Sequence, residues 1–176
     1  MNSDPLTADL MMSLFDELSD HLASYAEHGR LFLVGGAAMA LVYDIGRATQ
    51  DIDALFQPRH AITEAVRVIG ERHHLPPDWL NDSAGSFVTA DDLDPRIVYQ
   101  TEHLTVSAAS PQFLLAMKVR SARLTKDAHD ASVLAAILGL DTADSILTLA
   151  QQYLPTETFG VRERRFAQAV ATVERL

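Results

Sequence analysis

Two aspartates, Asp51 and Asp53, are separated by a single apolar residue, Ile52. Side chains at i and i+2 of an extended chain share a face, so the two carboxylates are expected side by side, with Ile52 turned to the core. Such a pair repels itself, and a divalent cation relieves the repulsion. Mg²⁺ in particular is usually held by one or two carboxylates together with substrate phosphates. Metal and phosphate are therefore predicted together. Upstream, Gly35-Gly36 ends the apolar run Leu31 to Val34 and precedes a stretch rich in helix formers. A glycine turn at a strand-to-helix junction lets the backbone approach a ligand closely and aims the free amides of the helix at an anion. Arg47 and Thr49 would add a guanidinium fork and a hydroxyl to the same phosphates. Asp-x-Asp alone more often marks a solvated strand end, and Gly-Gly alone a turn. Their ordered combination with Arg47 between Gly35 and Asp53 carries the prediction.

The elements that must position these groups follow from periodicity. Met11, Leu14, Phe15, Leu18, Leu22 and Tyr25 recur at helical spacing within residues 9 to 28, with Thr7 or Asp9 as cap. Leu31 to Val34 reads as a buried strand, Ala37 to Tyr43 as a helix, and Asp51 to Phe56 as a second strand ending before Pro58. Ile62, Ala65, Val66 and Ile69 define a third helix that stops by Leu75-Pro76-Pro77, and a loop carries Asp78 to Asn81. Arg96 to Tyr99 and His103 to Val106 are β-prone and suit a hairpin. Ser110-Pro111 is a helix start, with Phe113, Leu114, Met117 and Leu124 on the apolar side, and the rest of the chain reads as helical. The expected class is α+β: a mixed sheet flanked by helices over residues 1–109, and a helical part over 110–176 packed on it as a single compact unit.

Composition narrows the setting. At 176 residues with 48% hydrophobic and 22% charged residues, the chain has the make-up of a globular protein and not of a disordered or coiled-coil one. The longest nearly apolar run, Leu31 to Tyr43, is short for a membrane span, so no membrane partner is expected. The start Met-Asn-Ser-Asp-Pro lacks the basic and apolar stretches of a secretory signal, and there is no cysteine, which together predict a cytoplasmic location. A net charge of −10 opposes strong non-specific attraction to nucleic acid.

Val34-Gly35-Gly36-Ala37-Ala38, followed by Arg47-Ala48-Thr49-Gln50-Asp51-Ile52-Asp53-Ala54-Leu55-Phe56, resembles the polymerase-β-type nucleotidyltransferase superfamily. Within it the chain is similar to the small nucleotidyltransferase-like proteins allied to abortive-infection and toxin-antitoxin toxins. In those a lysine-bearing helix and a Lys-Asp-x-x-Asp element follow the sheet, here Lys118 and Lys126-Asp127-Ala128-His129-Asp130. The resemblance implies that Asp51 and Asp53 ligate Mg²⁺ or Mn²⁺, that Gly35, Gly36 and Arg47 hold the triphosphate of a nucleoside triphosphate, and that Lys118 offsets its charge. Asp127 or Asp130 would help build the acceptor or nucleotide side of the cleft. The implied reaction moves a nucleoside monophosphate to a hydroxyl with release of pyrophosphate. RNA, in particular the 3′ end of a transfer RNA, is one acceptor for such a toxin-like enzyme, and a cognate antitoxin is an implied partner.

Two departures temper this. Ala37 stands where many relatives place serine. The third carboxylate that often activates the attacking hydroxyl is not found in Leu104-Thr105-Val106-Ser107-Ala108, which leaves Glu102, Asp127 or Asp130 as substitutes. A catalytically silent binding or antitoxin-like module is therefore a second expectation, and transfer to a protein or small-molecule hydroxyl a third. Lys118, between apolar neighbours, equally suits a snorkelling surface position, and Asp127 and Asp130 suit favourable first-turn charges of a helix. His73-His74 point about 100° apart on a helix and do not suit zinc. Trp79 beside prolines reads as core more than as a base-stacking platform. Two basic clusters, Arg120, Arg123 and Lys126, then Arg162, Arg164 and Arg165, read as solvated helix faces.

Overall fold

A computed structural model describes residues 5–44, 46–86 and 91–172; the first four residues, read above for a targeting signal, lie outside them. The chain divides into two compact units, one of residues 1–86 and 95–109, the other of residues 87–94 and 110–176.

The first unit is built on a five-stranded mixed sheet of order β3-β2-β1-β5-β4. Its strands are β1 (Gly29–Leu33), β2 (Ile52–Gln57), β3 (Leu80–Asn81), β4 (Arg96–Gln100) and β5 (Leu104–Ala108). β1 runs antiparallel to β2 and parallel to β5, β2 runs parallel to β3, and β4 and β5 form the expected hairpin. Helix α1 (Ala8–Ser24) starts on Thr7, whose hydroxyl accepts from the Leu10 amide at 3.3 Å. Its buried stripe is Met11, Leu14, Phe15, Leu18 and Leu22. Tyr25 does not join that stripe. The chain turns left-handed at Ala26 (φ 53°), which ends the helix early and leaves Tyr25 69% exposed. Helix α3 (Arg59–His73) buries Ile62, Ala65, Val66 and Ile69 beside α1.

One face of the sheet is core: Leu31, Leu33, Ile52, Ala54, Leu104, Val106 and Ala108 are all buried. The alternate residues, Arg30, Phe32, Asp53, Leu55, Gln57, Thr105 and Ser107, point to a second, partly exposed face. A bulge between Ile97 and Tyr99 in β4 turns Tyr99 to the core side, where its ring meets Phe15 and its hydroxyl donates to Asp16. Burial and that hydrogen bond push the Tyr99 phenol up to about 12.

The second unit is helical, with α4 (Pro111–Ser121), α5 (Leu124–Ile137), α6 (Ala143–Tyr153) and α7 (Val161–Thr172). Ser110 caps α4 by accepting from the Phe113 amide at 3.2 Å. Ser110 is itself held by Asp92, which accepts from its amide and its hydroxyl, each at 2.6 Å. α4 packs against α5, α6 and α7, so it is buried nearly all round. It ends at Ser121, where Ala122 turns left-handed (φ 46°), so Leu124 starts the next helix and is exposed, contrary to its expected place on the apolar side of α4. No helix among the described residues is long and apolar enough to cross a membrane.

Candidate functional site

The glycine turn and the aspartate strand meet because β1 and β2 are neighbours. The Val34 amide donates to the Asp53 carbonyl at 3.0 Å, which brings the end of β1 level with Asp53. Helix α2 (Gly35–Ala38) starts there and runs on into a π-helical turn, Met39–Tyr43. No side chain caps this start, so its first amides are presented without a side-chain acceptor. Gly35 adopts φ +58°, and a methyl group added to it would lie 3.1 Å from Asp53 Oδ2. A methyl group at Gly36 would lie 2.5 Å from Thr49 Oγ1. The two glycines thus let the Asp53 carboxylate and the Thr49 hydroxyl rest directly on the turn. Thr49 is fixed by a bridge to Leu6, with reciprocal amide-to-carbonyl bonds of 2.7 and 3.0 Å. Ala37 is fully buried, so its side chain faces the core and not the turn's surface.

Asp51 lies just before β2. Partly exposed Asp51 and Asp53 flank Ile52, which is fully buried and donates its amide to the Trp79 carbonyl at 2.7 Å. The loop expected over Asp78 to Asn81 in fact contributes β3, a parallel edge strand in which Asn81 is registered against Asp53. Asn81 Nδ2 donates to Asp51 Oδ2 and to the Asp78 carbonyl, both at 3.2 Å, while its Oδ1 accepts from the Ser83 amide at 2.9 Å. Arg47 is half-buried, 4.0 Å from Asp44. The set of two carboxylates, a hydroxyl and a glycine turn suits a hard divalent cation that completes its coordination with phosphate oxygens and water. Among the described residues no group of three or more histidine, cysteine, aspartate or glutamate side chains is placed to hold a metal by itself.

Glu102 is not a third carboxylate for this site. It lies in the β4–β5 turn, beside Leu104, which pairs with Gly29 at the far end of β1. Four residue steps along β1 put it about 13 Å from the Gly35 end.

Lys118, Asp127 and Asp130 come together in the second unit. Lys118 Nζ is 2.6 Å from Asp130 Oδ2 and 3.3 Å from Asp127 Oδ1. Arg123 approaches Asp127 with two bonds of 2.8 and 3.1 Å, and the Ser121 hydroxyl adds a third at 2.7 Å. Lys118 is 8% exposed and both aspartates are buried, so Lys118 does not snorkel; its charge is paired with Asp127 and Asp130. Burial opposes ionisation of Asp127, yet the Arg123 and Ser121 hydrogen bonds and the Lys118 and Arg123 charges outweigh it and hold the carboxyl below its usual range. The family resemblance implied Lys118 and the aspartates, while Ser121 was not singled out and Arg123 was read as a solvated helix face, because the contacts of both depend on the turn at Ala122.

Other sequence candidates resolve into structure. Trp79 is 1% exposed and donates its indole N–H to the Val66 carbonyl at 3.0 Å. His73 contacts Glu17, and His74 is the left-handed cap of α3. Arg120, Arg123, Arg162 and Arg164 pair with Glu157, Asp127, Glu163 and Asp144 respectively, which withdraws them from a phosphate track.

A family model described as a nucleotidyltransferase of unknown function (DUF6036) matches residues 9–168. No curated protein and no solved structure matches the chain.

Proposed function

The chain belongs to that nucleotidyltransferase family, and on this premise we propose that it transfers a nucleoside monophosphate from a nucleoside triphosphate to an acceptor hydroxyl. The acceptor oxygen attacks the α-phosphorus, the bond from that phosphorus to the α,β-bridging oxygen breaks, and pyrophosphate leaves with the electron pair while the acceptor's proton passes to base or water. Asp51 and Asp53 would hold Mg²⁺ or Mn²⁺, which when bound supplies charge stabilisation for the attacking and leaving oxygens. The chain's own work is positioning. The Gly35-Gly36 turn offers amides to the triphosphate, and Thr49 and Arg47 flank it. Lys118, Asp127 and Asp130 are proposed as further catalytic residues, with Arg123 and Ser121 holding Asp127 ionised.

The observation that carries the reading is the rest of the Asp53 carboxylate on the Gly35 turn, because it joins an anion-binding backbone to a metal-binding acid. RNA, with a transfer RNA 3′ end as one form, is the proposed acceptor, and a toxin-like role with a cognate antitoxin the proposed setting. A second reading, a silent nucleotide-binding module, is favoured by Asn81 and by the Ser107 hydroxyl on the partly exposed sheet face, where a further acid would complete the site. Incubation with each α-labelled nucleoside triphosphate, Mg²⁺ and total RNA separates the two. Label on RNA that Asp51→Ala/Asp53→Ala abolishes supports transfer. Label on protein or a small molecule moves the acceptor. Metal-dependent nucleotide binding without any labelled product supports the silent module, and no nucleotide binding refutes both.

A further inference from the structure

The partly exposed face that carries Asp53 at one end of β2 carries Gln57 at the other, and Gln57 is registered against Arg30, which is registered in turn against Thr105. These three residues and His28, Glu102 and His103 line a concave pocket of about 430 Å³. Its polar groups are largely unspent. Among the described residues the side chains of Arg30 and Gln57 make no ion pair or hydrogen bond, in a chain where most arginines have a carboxylate. His103 Nδ1 is 2.9 Å from the Glu27 carbonyl, which can only accept, so Nδ1 carries a proton and Nε2 is left for a ligand. The His28 ring lies against it, tilted by 33° with centroids 4.8 Å apart. A guanidinium, an amide N–H and the Thr105 hydroxyl lining one pocket form a donor set for an oxyanion, and arginine suits phosphate.

We propose that this pocket holds a backbone phosphate of a single-stranded nucleic-acid acceptor whose terminal hydroxyl is presented at Asp51 and Asp53. The inference rests on the transfer reading of those aspartates. Gln57 lies four residues beyond Asp53 on β2, a separation of about 13 Å. That exceeds the span from the 5′-phosphate to the 3′-hydroxyl of one nucleotide, which a single sugar sets, so the acceptor is a chain and not a mononucleotide. Between the two ends the same face offers Phe32 and Leu55, registered against each other, and Ser107. An aromatic and an apolar side chain on such a path are the platform that bases stack on without sequence preference. Glu102 is the one carboxylate of the lining and opposes an anion there. The net charge of −10 keeps non-specific binding elsewhere weak, which exposes the contribution of the pocket.

The test is fluorescence anisotropy of a short 5′-labelled single-stranded RNA on the full chain in chelator, where transfer cannot occur, with calorimetric binding of Mg²⁺ and nucleoside triphosphate measured in parallel. Arg30→Gln is expected to weaken RNA binding about tenfold and to lower the salt slope by about one, while Glu102→Gln strengthens it severalfold. Both variants should bind nucleotide as the parent does, and melting curves check that both are folded. Absence of RNA binding by the parent, or RNA binding unchanged in Arg30→Gln, overturns the proposal. Inorganic phosphate competing as well as the RNA also overturns it, in favour of a small phosphorylated acceptor. Arg30-dependent RNA binding in a chain that binds no nucleotide would leave the subsite standing and refute the transfer reading instead.

Discussion

Asn81→Asp is the most informative single substitution at the candidate site. The Asn81 amide donates to Asp51 Oδ2 at 3.2 Å, so the change removes a donor and sets a second anion against the same oxygen. A hydrogen bond to a charged group contributes about 1.5–3 kcal/mol. Two unit charges about 4 Å apart near a protein surface repel by about 4 kcal/mol, a limit that protonation or movement of one carboxyl reduces. A loss of about 2–4 kcal/mol in chelator is expected, which for a chain of this length lowers Tm by roughly 4–16 °C. Millimolar Mg²⁺ should recover a large part of that loss and should stabilise the variant more than the parent, because the cation then offsets the added charge. Asn81→Ala serves as the reference: it loses the same donor, gains no charge, and should gain no more from Mg²⁺ than the parent does. Thermal melts in chelator and in Mg²⁺ read all three. Equal Mg²⁺ increments for parent and Asn81→Asp would refute the reasoning, since the Asn81 contacts with Asp78 and Ser83 alone would then explain any loss.

Gly36→Ala should abolish measurable nucleotide binding in calorimetry and lower stability by about 1–3 kcal/mol, because its methyl group meets Thr49 Oγ1 at 2.5 Å. Unchanged affinity would remove Thr49 and the turn from the phosphate seat. Lys118→Met leaves two buried aspartates short of a cation and should cost about 3–5 kcal/mol by chemical denaturation, and a loss below 1 kcal/mol would show the cluster to be solvated. Asp127 has a depressed folded-state pKa, so its contribution is present above the unfolded value of about 4 and is lost as pH falls through the folded value. The stability gap between the parent and Asp127→Asn should therefore be wide above about pH 4 and close below it, and a gap independent of pH would contradict that assignment. Trp79, the single tryptophan, should resist acrylamide quenching and keep its emission when nucleotide or RNA is added; a ligand-dependent shift would reopen base stacking.

The elements that bury a periodic face were legible before the structure. Helix α1, β1, α3 and the β4–β5 hairpin follow from apolar spacing, and the start of α4 from Ser110-Pro111, because each signal is local. What escaped depends on partners distant in sequence. β3 is two residues long and forms only because the Ile52 amide takes the Trp79 carbonyl, so Asn81 gave no sign that it would lie beside Asp53. The end of α1 at Ser24 and the break at Ala122 rest on left-handed residues that are alanines, where sequence reading looks for glycine. Lys118 was ambiguous because helical spacing cannot tell an amphipathic helix from α4, which has neighbours on every side.

The geometry ties the two halves of the candidate site to each other. A side chain at Gly35 would press on Asp53 Oδ2, and the Asp53 carbonyl is bonded to the amide just before the turn, so neither the glycine turn nor the acid can shift alone. Asp51 is held from the opposite side, through Asn81 on β3. Two carboxylates make a weak cation site by themselves, and the proposed function therefore requires triphosphate oxygens to complete it. Cation affinity should then depend on nucleotide, and nucleotide affinity on cation, by the same factor. That reciprocity follows whether or not transfer occurs, so it belongs to the site and not to the choice between an enzyme and a silent module. The choice rests on what removes the acceptor's proton, and on the sheet the side chains nearest that task are an amide and a hydroxyl, Asn81 and Ser107. Neither is a strong base, so a transfer reaction requires water or a base from outside the sheet to take the proton.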